Sequence, residues 1–342
     1  MHRKIIPAVL FIIISVVINA CANLDTTQED QSKPVWPSPP AAARIAFEQS
    51  FSTPAELGIN KGFWQWLGEF IFGAEDSRMI RPMAVITVGD RLIYVADPGV
   101  RGVHRFNTHD HSYHLIQGKD GSVLPSPVAM TTDADGNVYV TDSELAQVLV
   151  IHEDSDHAES LLLDEPLQQP TGLAIDSNSG DLYLIDTRQH QVLIFNSQGN
   201  LKQRFGQRGT QAGEFNYPTL IWQSGTTILV NDSLNFRIQS FDLDGNFLSE
   251  FGKAGQSSGY QSRPKGIAMD QAGHIYVVDA LLNNIQLFDG DGQYLLTIGE
   301  RGQQAGQFWL PAGIFISPEQ KIYVADSHNQ RVQVFRYIGK QQ

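Results

Sequence analysis

IYVADSHNQRVQVF, residues 322–335, is an apolar β-type run ending in Asp326, a short polar turn, and a second β-type run ending in an aromatic residue. Alone it is an ordinary hairpin. The same shape recurs through the chain after residue 80. Its strand-ending aspartates are Asp97, Asp142, Asp186, Asp232, Asp279 and Asp326, spaced by 44 to 47 residues. Nine residues after each stands a large apolar residue: Phe106, Ile151, Phe195, Phe241, Phe288 and Phe335. Ahead of each stands a proline, Pro82, Pro127, Pro170, Pro218, Pro264 or Pro311, at intervals of 43 to 48. A period in the mid-forties with about four strands per unit predicts the blades of a β-propeller, since the 3.6-residue period of a helical solenoid is missing. Runs such as Ile275–Val278 are apolar on both phases, as a blade sandwiched between two neighbours requires.

The hairpins VADSHNQRVQVF (324–335) and VNDSLNFRIQSF (230–241) resemble the NHL family of propeller repeats, with Asn329/Arg331 and Asn235/Arg237 at the family's turn positions. The first two units, with Asp97-Pro98-Gly99 and Asp142-Ser143-Glu144, depart from that turn and keep the strands. The expected fold is therefore all-β, a six-bladed β-propeller of NHL type, with blades starting near 81, 126, 169, 217, 263 and 310. Fourth strands are read at Phe247–Phe251, Tyr294–Ile298 and Tyr113–Ile116. The last unit has no room for one. RIAFEQSF, residues 44–51, reads as the missing strand, closing the ring by completing the last blade, because an open ring would leave unpaired strand edges. The propeller is read as one domain, 44–342. Within 62–72, Phe63, Trp66, Leu67, Phe70 and Ile71 fall at helical spacing, which predicts a short amphipathic helix, either a plug on the ring or a contact for a partner or the bilayer.

The composition, 42% hydrophobic and 18% charged, supports a packed core rather than disorder. The formal net charge of -13 argues against nucleic-acid binding, which depends on clustered Lys and Arg. At the N-terminus, Arg3 and Lys4 precede an apolar run, Ile5 to Ile18, too short for a comfortable membrane span and suited to a secretory signal over 1–20. Ile18-Asn19-Ala20-Cys21 resembles the lipobox of bacterial lipoproteins, which implies cleavage before Cys21, the chain's one cysteine, and its lipidation as a membrane anchor. Residues 21–43, with Pro34, Pro37, Pro39 and Pro40, read as a spacer. No aspartate follows Cys21, and by resemblance to lipoprotein sorting this favours the outer membrane, with the propeller in the periplasm or at the surface.

Catalytic signals are thin. The Gly206/Gly209/Gly213, Gly252/Gly255/Gly259 and Gly299/Gly302/Gly306 loops precede strands, so they read as turns rather than phosphate cradles. An aspartate repeated six times reads as a turn residue accepting hydrogen bonds in its own hairpin. His104, His109, Asp110, His111 and His114 read as a solvated hairpin. There is no Gly-x-Ser-x-Gly elbow. No catalytic, metal or cofactor residue is assigned. The expected function is a protein- or glycan-binding scaffold module of the cell envelope, a monomeric ring. Its ligand face is expected to hold Arg81, Gln169, Tyr217 and Arg263, which precede the repeat prolines, and Arg188, Phe236, Arg237, His328 and Arg331 in the turns. The alternative is a metal-dependent hydrolase or lyase. NHL rings resemble the lyase domain of peptide-amidating enzymes and the lactonases, which implies a metal in the central channel.

Overall fold

Strands that are apolar on both faces are stable only when covered on both sides. A computed structural model, describing residues 33–59 and 77–339, shows how the chain achieves this. Two strands lead, β1 (Val35–Trp36) and β2 (Ile45–Phe51). Blade 1 is β3 (Ala84–Val88), β4 (Leu92–Asp97), β5 (Gly102–Asn107) and β6 (Ser112–Gly118). Blade 2 is β7 (Pro127–Thr132), β8 (Val138–Asp142), β9 (Gln147–Ile151) and β10 (His157–Ser160). Blade 3 is β11 (Pro170–Ile175), β12 (Leu182–Asp186), β13 (Gln191–Phe195) and β14 (Leu201–Phe205). Blade 4 is β15 (Pro218–Ser224), β16 (Thr227–Asp232), β17 (Arg237–Phe241) and β18 (Phe247–Phe251). Blade 5 is β19 (Pro264–Met269), β20 (Ile275–Asp279), β21 (Asn284–Phe288) and β22 (Tyr294–Ile298). Blade 6 has three strands of its own, β23 (Ile314–Ile316), β24 (Lys321–Asp326) and β25 (Arg331–Tyr337). Among the described residues there is no α-helix.

The fourth place in the last sheet is taken by β2, which runs antiparallel to β25 with Ile45 opposite Tyr337 and Phe51 opposite Val332. Phe47 meets Phe335 edge-on at 5.7 Å, and Glu48 pairs with Arg336. The proline-rich stretch read as a spacer is partly structured. Val35–Trp36 adds a fifth strand outside β2, because the Trp36 ring packs edge-on against Phe335 at 5.6 Å and so gains burial that a polar linker would not have. Cys21, the signal segment and the 62–72 aromatic segment lie outside the described residues.

The core is six wedges between consecutive blades rather than one central mass. Tyr183 and Ile185 of blade 3 pack on Ile221, Val230 and Phe241 of blade 4, for example. The sixth wedge joins Tyr323 and Val334 of blade 6 to Val85, Val95 and Phe106 of blade 1, with Phe51 of β2 among them. At the same seam Gly313 donates its N–H to the Met83 carbonyl across the inner strands at 2.9 Å. A Cβ on Gly313 would stand 2.6 Å from that carbonyl oxygen, so only glycine permits the approach.

Blades 1 and 2 depart from this plan. The start of β10 pairs in parallel with β6, His157 opposite Gln117, before turning to pair with β9, and the two blades form one eight-stranded sheet. His104 also differs from expectation. It lies on β5, wholly buried, because its ring hydrogen-bonds Tyr113 Oη at 2.9 Å and reaches Asp97 at 3.4 Å instead of joining the exposed hairpin of His109, Asp110 and His111.

Candidate functional site: the channel mouth on the aspartate face

The six aspartates set this face. Each is wholly buried at the end of its blade's second strand. Its carboxylate accepts backbone N–H groups from the loop that enters the first strand: Ile80 and Arg81 for Asp97, Ser126 for Asp142, Gln168 and Gln169 for Asp186. Asn216, Ser262 with Arg263, and Trp309 do the same for Asp232, Asp279 and Asp326. The carboxylates therefore serve more than their own hairpins. They satisfy orphan amides of the entry loop and hold that loop against the hairpin. In Asp97, burial opposes ionisation, but bonds from His104 and the Ile80 and Arg81 amides outweigh it and hold the carboxyl below the usual range. In Asp232 and Asp326 burial wins and pushes the carboxyl up, despite bonds from Arg237 and Arg331.

The residue after each aspartate decides how tightly one blade is tied to the next. Ser143 donates to the Pro170 carbonyl at 2.6 Å, Thr187 to Pro218 at 2.6 Å, and Ser233 to Pro264 at 3.0 Å. Pro98 and Ala280 have no hydroxyl, and Ser327 reaches only the Met83 sulfur at 3.8 Å. On that untied side a cavity of ≈ 370 Å³ opens, lined by Pro98, Ala280 and Ser327 together with Arg81, Arg263 and His328. It shares Met83, Ser126, Val128, Lys265 and Ala312 with a deeper cavity of ≈ 250 Å³ that adds Gln169, Thr171, Thr187 and Thr219.

The deeper cavity is ringed by the residue after each repeat proline: Met83, Val128, Thr171, Thr219, Lys265 and Ala312. Lys265 is the ionisable member. Burial, and then the neighbouring Arg263 charge, hold its ammonium below the usual lysine range. Beyond this ring, apolar side chains of the inner strands, including Ala129, Leu220 and Ile267, fill the channel toward a smaller cavity of ≈ 120 Å³ at the other end.

Of the sequence-chosen residues, Arg81, Arg263 and His328 come together in the outer cavity, with His328 against the Trp309 ring at 5.6 Å, and Gln169 lines the inner one. Arg188 is exposed on the blade 3 turn. Tyr217 is exposed, held by its N–H to His190 Nδ1 at 3.1 Å, and half-buried Phe236 caps its turn at φ 57. Arg237 and Arg331 have structural partners. Each gives Nε to its aspartate at 2.8 Å and Nη2 to two carbonyls of the preceding inter-blade loop. The repeat pattern does not single out Lys265, although it is a lone charge in an otherwise uncharged register position.

The teneurin NHL domain matches residues 112–308 and the NHL repeat matches 308–335. The chain belongs to the NHL family. Drosophila melanogaster protein brain tumor is 29% identical over 113 residues, 32% of this chain but 10% of that protein, so this NHL chain matches only a small part of its curated relative. Among solved structures, an auxiliary nutrient binding protein from Bacteroides thetaiotaomicron superposes with a TM-score of 0.61 at 13% identity, covering 76% of this chain and 70% of that one. A streptogramin B lyase superposes at 0.57 with 11% identity, covering 76% and 94%. At such identities these neighbours show the propeller fold alone.

A channel metal, as in the lyase alternative, needs three or four converging His, Cys, Asp or Glu side chains. The described residues contain no such group, and both mouth cavities are lined by hydroxyl, apolar, amide and cationic side chains plus the single imidazole of His328. The residues present do not fit a divalent metal.

Proposed function

We propose that this NHL propeller is a binding module of the cell envelope, anchored through lipidated Cys21, which holds a protein or glycan partner on its aspartate face. The observation that carries the reading is the convergence of Arg81, Arg263, Lys265 and His328 on one cavity of a chain whose net charge is -13. Such a local reversal of sign steers and orients an anionic partner. The seams without hydroxyl ties give that partner an indented surface instead of a closed ring of loops. The monomeric ring, the outer-membrane location and the periplasmic or surface side belong to the same proposal.

The test is photo-crosslinking of the full chain in native envelopes. A partner captured by wild type and lost in the Arg81→Glu/Arg263→Glu double variant is the expected result, with Cys21→Ser releasing the protein from the membrane fraction. Capture unaffected by the double charge reversal overturns the choice of face.

A further inference from the structure

We infer that the inner cavity at Lys265 is a binding site for a carboxylate: the head group of a small ligand, or of one residue of a larger partner, whose apolar body lies in the outer cavity. The inference rests on the binding-module reading above and names the chemistry of its ligand.

Lys265 brings a positive charge into the ring of side chains at the channel mouth, where its fellow members are Met83, Val128, Thr171, Thr219 and Ala312. Lys265 is half-buried and lines both cavities, and a cation partly withdrawn from water without an acidic neighbour favours a counter-ion. Among the described residues Lys265 has no ion pair and no side-chain hydrogen bond, and the charge beside it, Arg263, has the same sign. No Asp or Glu lines either cavity. The nearby strand-ending carboxylates are already committed to backbone amides, as Asp279 is to Ser262 and Arg263.

The hydroxyls sort into used and unused donors. Thr187 donates to the Pro218 carbonyl at 2.6 Å, so Thr171, 2.7 Å from Thr187, must donate to it. Ser143 is committed to Pro170. Thr219, on the inner strand next to that of Lys265, accepts from Asn231 at 3.1 Å, and its own proton has no acceptor among the described residues. The same Asn231 amide donates to the Lys265 carbonyl at 3.2 Å, fixing the two strands relative to each other. An ammonium and a hydroxyl donor on adjacent strands are thus left without acceptors. A carboxylate supplies two acceptor oxygens and the missing negative charge. Around this donor pair Met83, Val128, Pro98, Ala280 and Pro311 offer apolar walls, and Arg81 and Arg263 stand at the outer rim. Cavities of ≈ 250 and ≈ 370 Å³ that share a wall admit a ligand at the lower end of small-molecule size.

The experiment is calorimetry and saturation-transfer NMR on the full chain in detergent, with hexanoate, glucuronate and N-acetylalanine as probes against hexanamide, glucose and N-acetylalanine amide. Binding of at least one acid, with its neutral counterpart about tenfold weaker or worse, is expected from the worth of a charge-assisted bond. Lys265→Met should abolish the difference and Lys265→Arg should retain part of it, with melting curves showing that both fold. Which acid binds distinguishes an acyl chain, a uronic acid and a peptide terminus as the natural source. No binding of any acid, equal binding of acid and neutral probe, or wild-type binding by Lys265→Met overturns the inference. Failure here with envelope crosslinking still sensitive to Arg81 and Arg263 leaves the binding-module reading standing. Acid binding without such crosslinking supports the carboxylate site and overturns the macromolecular partner on this face.

Discussion

Blades 4 and 6 and blades 1 and 2 meet the same requirement with different chemistry. All four bury a strand-ending aspartate that must be satisfied. In blades 4 and 6 three side chains join the entry-loop amide: Asn235, Arg237 and Gln239 around Asp232, and Asn329, Arg331 and Gln333 around Asp326. The glutamine also clasps the preceding loop, Gln333 accepting from Gly306 and donating to the Gln307 carbonyl. Blade 1 has His104 where the glutamine would stand, and blade 2 has Leu149 there, with Asp142 bonded only to the backbone amides of Ser126, Glu144 and Leu145. What these two blades lack in loop clasps is offset at their rim, where β6 and β10 join them into one sheet. Stability in this ring is therefore local to each blade and seam, and function has room where the ties are missing.

Removing residues 44–51 should have the largest effect, because it strips β25 of its partner strand and exposes Phe335. We expect loss of the single cooperative unfolding transition in urea, and an unchanged transition would refute the role given to β2. Next in size, Asp326→Ala leaves Arg331 buried without its charge partner and should cost about 3–5 kcal/mol, whereas Asp142→Ala strands only backbone amides and should cost about 1–3 kcal/mol. Equal costs would erase the distinction between the two kinds of blade. Gln333→Leu, which mimics blade 2 within blade 6, should cost about 1–3 kcal/mol and raise hydrogen exchange in the 299–309 loop.

Acid should separate the blades as well. Asp97 ionises more readily folded than unfolded, so its stabilisation is complete above the ordinary carboxylate range and is lost as pH falls through the lower folded value. Asp232 and Asp326, raised by burial, take up protons more readily folded, so their protonation adds stability as pH falls. Blade 1 should therefore lose exchange protection at higher pH than blades 4 and 6, and simultaneous loss would contradict this. The smallest effect is expected at the rim pair Lys119 and Glu159, 3.0 Å apart and solvent-exposed, where Lys119→Ala should leave the urea midpoint nearly unchanged.

The all-β propeller repeat could be read from residue order, because backbone pairing and burial between neighbouring blades impose apolar strands, turn aspartates and a fixed period on every unit. Pro82 to Phe335 carry that pattern whatever the rest of the chain does. The roles of particular side chains could not be read in this way. Arg237 and Arg331 have the look of ligand contacts in sequence, yet they face loop carbonyls some 25 residues away, as in Arg237 to Gln211. His104 reads as part of a surface hairpin and is instead the partner of Asp97. Lys265 is inconspicuous beside Arg263, although the fold makes it the charge in the channel ring. A period reflects constraints that repeat in every blade. A binding site arises where blades differ, and which differences face one another was decided only when the ring brought blades 1, 2, 5 and 6 around a common mouth.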